Sequence, residues 1–191
     1  MIIEKVDNKN PPLKISQTII PDTRLFTPLH LAAKNGHIEV CRLIISHLED
    51  KNPKSSQDIT PLHFAAKAEN PNGLNIYRLI MNEVDEKNPK DKLGNTPLHI
   101  AAGYGNFEVS KLIVESVDEK NPADEDRTTP LHLAAGSNIP EICRLILAVV
   151  DDMHPVDRQG ETPLDWAREQ FGDEVLQELE QLWLEEEINR D

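Results

Sequence analysis

Apolar residues recur along the chain in two alternating patterns. The first is short and opens with a fixed tetrapeptide, Thr-Pro-Leu-His, at 27–30, 60–63, 96–99 and 129–132, with Thr-Pro-Leu-Asp at 162–165. An alanine pair follows, as at Ala101-Ala102. The second is a longer apolar run that starts at Ile38, Leu74, Phe107 and Pro140. Successive threonines are 33, 36, 33 and 33 residues apart, the period of a repeat architecture. A Lys-Asn-Pro recurs before the next threonine at 51–53, 87–89 and 120–122, and becomes Met-His-Pro at 153–155.

Each pattern predicts a helix. Thr is a good N-cap, and Pro fits the first helical position because the N–H it lacks has no partner there. Leu then begins a buried stripe, and the small alanines let neighbouring helices approach closely. Gly36 and Gly105 end the first helix. In the second helix Val40, Leu43 and Ile44 are spaced i, i+3, i+4, which predicts one buried face. Pro53, Pro89 and Pro122 are expected to stop that helix. The unit is therefore helix, turn, helix, exposed loop.

The string Asp-x-x-Gly-x-Thr-Pro-Leu-His-x-Ala-Ala-x-x-Gly, complete from Asp91 to Gly105, resembles the ankyrin repeat. The resemblance runs over 22–189. It implies a mainly α fold, an ankyrin-repeat solenoid of antiparallel helix pairs joined by β-hairpin-like loops. Fingers and first helices of such an array form a concave, protein-binding face. The units fall at 22–54, 55–90, 91–123, 124–156 and 157–191, the last including an acidic C-terminal cap, after an N-terminal segment 1–21. Several features depart from the family pattern. The Lys-Asn-Pro string stands where Gly-Ala-Asp-Val-Asn is usual. The second repeat carries three extra residues near Ala68–Pro71 and has Asp58 in place of the loop glycine. Met1–Pro11 aligns with the end of a second helix, Ile80–Pro89, as a remnant of a preceding repeat. Leu13–Pro21 is expected to run irregularly over the first repeat and cover its apolar edge. At the far end Val175, Leu176, Leu179, Leu182 and Trp183 are set among glutamates, one face buried and one wet, as a terminal cap requires.

Composition narrows the function. Only 38% of the 191 residues are hydrophobic and 4% aromatic, thin for one spherical core but suited to stacked units. The net charge is −14. Residues 157–191 hold 12 acidic and 3 basic side chains, a net of −9, against 22 and 17, a net of −5, over 1–156. That balance argues against nucleic acid or an anionic membrane and suits a partner protein with a basic patch. No run approaches the 18 or so apolar residues of a membrane span, and the N-terminus lacks a secretory signal. An intracellular location, cytoplasmic or nuclear, is the expectation, with the chain monomeric on its own.

Candidate chemistry reduces to packing. His30, His63, His99 and His132 hold equivalent places one repeat apart, too far for shared metal coordination. Each is expected to bond its own Thr hydroxyl and a neighbouring loop carbonyl. His37, His47 and His154 are expected on the surface. Cys41 and Cys143 sit in the same slot of different repeats, as fillers and not a bridge. Asp124-Glu125-Asp126 lacks the pattern of a calcium loop, and Glu185–Glu187 reads as a solvated helix face. No phosphate loop, Cys-x-x-Cys pair or nucleophile elbow occurs. No cofactor, metal or catalytic residue is assigned, and the chain is read as a non-enzyme.

The positions left undictated by the repeat are the candidate partner-binding residues: Arg24, Phe26, Lys34 and Asn35 in the first unit, and Gln57, Ile59 and Lys67 in the second. The third adds Leu93, Asn95 and Tyr104, and the last two Asp126, Thr128 and Arg158. Aromatic, apolar and cationic side chains gather in repeats one to three, the composition of a binding hot spot, and a more acidic strip in repeats four and five would steer a basic partner. The reading is a protein-binding scaffold. Beside it stand a regulatory ankyrin fragment of a larger enzyme, channel or effector, and an engineered scaffold, against which the unequal loops speak.

Overall fold

A computed structural model describes residues 25–67, 72–171 and 173–189, with side chains in the last stretch from Leu176 onward. The expectations for Met1–Pro11, Leu13–Pro21, Arg24, the insertion at Ala68–Pro71 and the side chain of Val175 lie outside the described residues.

Among the described residues ten helices follow one another in pairs: α1 (Pro28–Lys34) with α2 (Ile38–Ile45), α3 (Pro61–Ala66) with α4 (Gly73–Met81), and α5 (Pro97–Gly103) with α6 (Phe107–Ser116). Then come α7 (Pro130–Gly136) with α8 (Pro140–Leu147), and α9 (Pro163–Phe171) with α10 (Asp173–Ile188). Odd helices pack on odd and even on even, so the pairs stack in two layers with the core between them. There is no strand among the described residues.

The first helices begin as the tetrapeptide requires. Thr27, Thr60, Thr96 and Thr129 are extended N-caps, each followed by its proline, and the histidine two places beyond that proline closes a capping box. The alanine pairs are buried and every leucine of the motif up to Leu131 is fully so. Gly36 and Gly105 follow the first helix at φ +71° and +74°; Asn138 takes the same slot at φ +53°, a conformation Asn tolerates better than most residues.

The second helices differ from expectation in two ways. In α2 the buried face is Cys41 and Ile45, continued by Leu48, while Val40 is 47% and Leu43 51% exposed. Burial of the Val40 face needs a neighbour on that side, which later second helices have and α2 lacks among the described residues. The prolines also do not stop the helices, which end at Ile45, Met81 and Ser116, well before Pro53, Pro89 and Pro122.

The Lys-Asn-Pro string has another task. Asn52, Asn88 and Asn121 each accept, through Oδ1, the backbone N–H of the motif leucine ten residues on, Leu62 at 3.2 Å and Leu98 and Leu131 at 3.0 Å. Lys51 Nζ donates to the Ile45 carbonyl at 2.7 Å. The string thus ties the end of one second helix to the start of the next first helix.

At the C-terminal end Leu176, Leu179, Leu182 and Trp183 are buried, and the Trp183 indole N–H donates to the Met153 carbonyl at 2.9 Å.

Candidate functional site

The loops before the first helices are tight turns built on one acceptor. Asp91 Oδ1 takes the N–H groups of Leu93 and Asn95, Asp124 those of Asp126 and Thr128, and Asp157 those of Gln159 and Glu161. Ser55 Oγ does the same for Gln57 and Ile59. Each turn then hydrogen-bonds the next, Lys92 N–H to the Gln57 carbonyl at 3.1 Å, Glu125 N–H to that of Leu93 at 2.9 Å and Arg158 N–H to that of Asp126 at 2.8 Å. The fingers form one continuous row. Gly94 is needed where they meet. It sits at φ +82°, and a Cβ there would lie 2.9 Å from Asp124 Cα.

The motif histidines lock this row to the helices. Each Nδ1 lies 2.8–3.0 Å from its own threonine hydroxyl and also accepts the threonine backbone N–H. Nε2 therefore carries the proton, and donates to the carbonyls of Ile59, Asn95, Thr128 and Glu161 in the following finger. Burial holds His30 and His99 down at about 4, and lowers His63 and His132 as well. These rings are neutral joints. His37, His47 and His154 are exposed. Cys41 and Cys143 are free and buried, with burial pushing their thiols up to about 11 and about 12. Ser110, in the same slot, is buried with no partner for its hydroxyl among the described residues.

The site candidates separate into two groups. The slot before each threonine was expected to face solvent, and it does not. Phe26 is half-buried, edge-on to Phe64 with ring centroids 5.1 Å apart. Ile59 and Asn95 are half-buried and Thr128 is buried, because their carbonyls receive the histidines. The other described positions are open, except Lys67, which is half-buried. Leu93 is 62% and Tyr104 53% exposed. Lys67 Nζ lies 4.4 Å from the Tyr104 ring centroid and Lys34 Nζ 5.9 Å from that of Phe64, cation–π distances. Asn35, Gln57, Asp126 and Arg158 are exposed, and Arg158 pairs with Asp126 at 2.7 Å.

Phe64 and Trp166 were not among the residues singled out in the sequence. Both occupy the slot of Leu31, Ile100 and Leu133, where an aromatic side chain in an otherwise aliphatic column was the available signal. Trp166 borders a hollow of about 520 Å³ between fingers and first helices, shared with Asp126, Glu161, Glu169 and Gly136. Its indole N–H donates to Asp157 Oδ2 at 3.0 Å. Burial works against the charge of Asp157, but the N–H groups of Glu161, Trp166 and Gln159 outweigh it and hold the carboxyl below its ordinary range. A second hollow, about 770 Å³, opens on the other layer between α6 and α8, lined by Phe107, Leu145 and Val149 and rimmed by both signs of charge.

A model of ankyrin repeats in three copies matches residues 12–82 and 70–155. The chain belongs to the ankyrin-repeat family. Ankyrin repeats generally mediate protein–protein interaction, and the fold is typically a non-catalytic binding module. No curated protein matches the chain at a meaningful level. The fifth helix pair of this ankyrin array, α9 and α10, lies beyond the matched residues. Among the described residues no helix is long and apolar enough to cross a membrane.

Proposed function

We propose that this ankyrin array holds a partner protein on the face shared by its fingers and first helices, with Leu93 and Tyr104 as apolar anchors. The observation that carries the reading is the exposure of these two large side chains in one repeat. Lys67 over the Tyr104 ring adds a cation beside an aromatic surface, the mixture enriched at hot spots.

The same face changes character along its length. At equivalent positions of the first helices stand Lys34, Lys67, Gly103, Gly136 and Glu169. Glu161 and Glu169 share the hollow with the Trp166 ring and oppose few cations, since Arg158 is engaged by Asp126. A basic stretch of the partner fits this end, an Arg or Lys side chain resting on the indole between carboxylates.

The test is affinity capture with the intact chain and a Leu93→Ala/Tyr104→Ala variant, with melting followed in parallel. Capture should fall at least tenfold with an unchanged Tm. Phe26→Ala lowers melting as well, because it removes the contact with Phe64. Loss of capture on Phe107→Ala/Val149→Ala, with none on Leu93→Ala/Tyr104→Ala, would move the site to the outer layer and reject the proposal.

A further inference from the structure

The outer hollow between α6 and α8 departs from the repeat around it. Just past the end of α8 stand Ala148 and Val149, both exposed. The same two places hold Ser46-His47, Asn82-Glu83 and Glu115-Ser116 in the three preceding repeats. With Phe107, Pro140 and Leu145, this apolar pair lines a groove of about 770 Å³. Phe107 and Val149 present large apolar side chains to solvent there, the mark of an interaction surface. The rim is charged, and the charge left open is negative. Lys120 Nζ donates to the Val114 and Val117 carbonyls, and the Arg144 guanidinium lies against Glu185 and Glu186. Glu115 and Glu141 are exposed and make no ion pair among the described residues. An exposed acidic pair follows each flanking helix, Asp118-Glu119 after α6 and Asp151-Asp152 after α8.

We infer that this groove docks an amphipathic helix of a partner protein, its apolar side against Phe107, Leu145 and Val149 and its flanks carrying lysine or arginine. The walls are two helices whose backbone groups are bonded along their own axes, so an extended peptide finds no ladder to join. A helix arrives with its backbone already satisfied and sets its side chains into the groove between two others. Along the ten residues of α6 there is room for about 15 Å of it, or roughly three turns. Flanking cations would meet Glu115 and Glu141 at the rim and the acidic pairs beyond the helix ends. The same charges, with a net of −14 over the chain, make a second copy a poor occupant. The groove lies in the other layer from Leu93 and Tyr104, so it stands independently of the finger face.

Fluorescence anisotropy of the full chain with a labelled leucine–lysine peptide, its leucines spaced i, i+3, i+4, i+7, tests the docking. The peptide should bind at least tenfold tighter than a scramble of the same composition and than its leucine–glutamate counterpart. Phe107→Ala/Val149→Ser should weaken binding at least tenfold, and Leu93→Ala/Tyr104→Ala should leave it unchanged. Val149→Ser alone, which places there the residue found at Ser116, should cost about threefold with an unchanged Tm, so that the loss is not one of folding. Equal binding of the scramble would mean diffuse attraction to an acidic surface and overturn the inference. Full affinity in Phe107→Ala/Val149→Ser would overturn it too. A loss confined to Leu93→Ala/Tyr104→Ala would move the helix to the finger face, rejecting this site and not that one. Sedimentation of the chain alone should show a monomer; a dimer abolished by Phe107→Ala/Val149→Ser would give the groove to a second copy and overturn the inference.

Discussion

The joints between the first four helix pairs and the joint to the fifth are made differently. At an interior joint such as that between α5–α6 and α7–α8, the ties made by the repeated His and Asn are neutral and wholly or partly buried. His99 bridges Thr96 and the Thr128 carbonyl, and Asn121 caps Leu131. At the last joint His132 still reaches the Glu161 carbonyl, but the asparagine latch is gone. His154 stands in its place and turns to Glu187 at 3.0 Å, while Arg144 lies 3.4–3.5 Å from Glu185 and Glu186. The motif histidine of the fifth pair is itself Asp165, which accepts from the Thr162 N–H and hydroxyl and reaches no further finger. The difference shows what the repeated residues are for. His and Asn are there to grip a following unit, and where the sequence drops them, a buried apolar face and indole hold the last helix, with exposed ion pairs at its rim.

Acid should have the largest effect, and it should act on the interior joints. Folding holds His30 and His99 at about 4, below the ordinary 6.5, so the unfolded chain takes up protons that the folded chain refuses. The stability tied to the neutral rings is fully present above pH 6.5 and is lost as pH falls from there towards 4. Protonation puts a hydrogen on Nδ1 facing the threonine N–H, two donors opposed. Urea denaturation at pH 7 and pH 5 should show a loss on the order of 3 kcal/mol from these two residues together. Equal midpoints at the two pH values would mean that the rings open to solvent. A single interior histidine should matter nearly as much. His99→Ala leaves the Thr96 N–H without its acceptor, takes from the Thr128 carbonyl one of its two donors (the Asp124 N–H remains) and opens a small void, at a cost of about 2–3 kcal/mol in urea denaturation at pH 7.

These joints were largely legible in the sequence, because a residue recurring at one place in every unit must satisfy one contact repeated along the stack. That argument placed the histidines on their threonines and loop carbonyls, read the cysteines as buried or half-buried fillers, and gave the C-terminal helix one buried and one wet face. It fails wherever burial depends on position in the stack. Val40 has the helical spacing of a core residue and is exposed, since periodicity within α2 cannot report whether a neighbour is present. The slot of Phe26, Ile59, Asn95 and Thr128 varies freely in sequence and was taken as surface, yet the carbonyls of Ile59, Asn95 and Thr128 are held by the histidines and Phe26 packs on Phe64. Phe64 and Trp166 were passed over because a slot that is mostly aliphatic reads as core. The asparagine latch was visible as a recurring letter, but its partner ten residues on emerges only in three dimensions.

A smaller effect follows for that latch. Asn88→Ala removes a single side-chain acceptor from the first turn of α5, where one N–H near a helix start is at stake. The cost should be about 1 kcal/mol, read as a shift of the urea midpoint, and Asn52→Ala should match it within a few tenths. A loss as large as that of His99→Ala would make the string, not the histidine, the principal clasp of the interior joints.

The smallest effect should come from the ion pairs of the last joint. The His154 and Glu187 side chains are each about half exposed, so water and salt screen their attraction and both give up rotamer freedom to meet. Apolar burial of Leu179, Leu182 and Trp183, with the indole bonded to Met153, already fixes α10 without them. His154→Ala should therefore change stability by no more than about 0.5 kcal/mol, and raising the salt concentration should abolish even that difference. Thermal melts of the two proteins at low and high salt decide the matter. A salt-sensitive loss above about 1 kcal/mol would mean that charge pairing, and not the buried indole face, substitutes for the missing asparagine at the end of the stack.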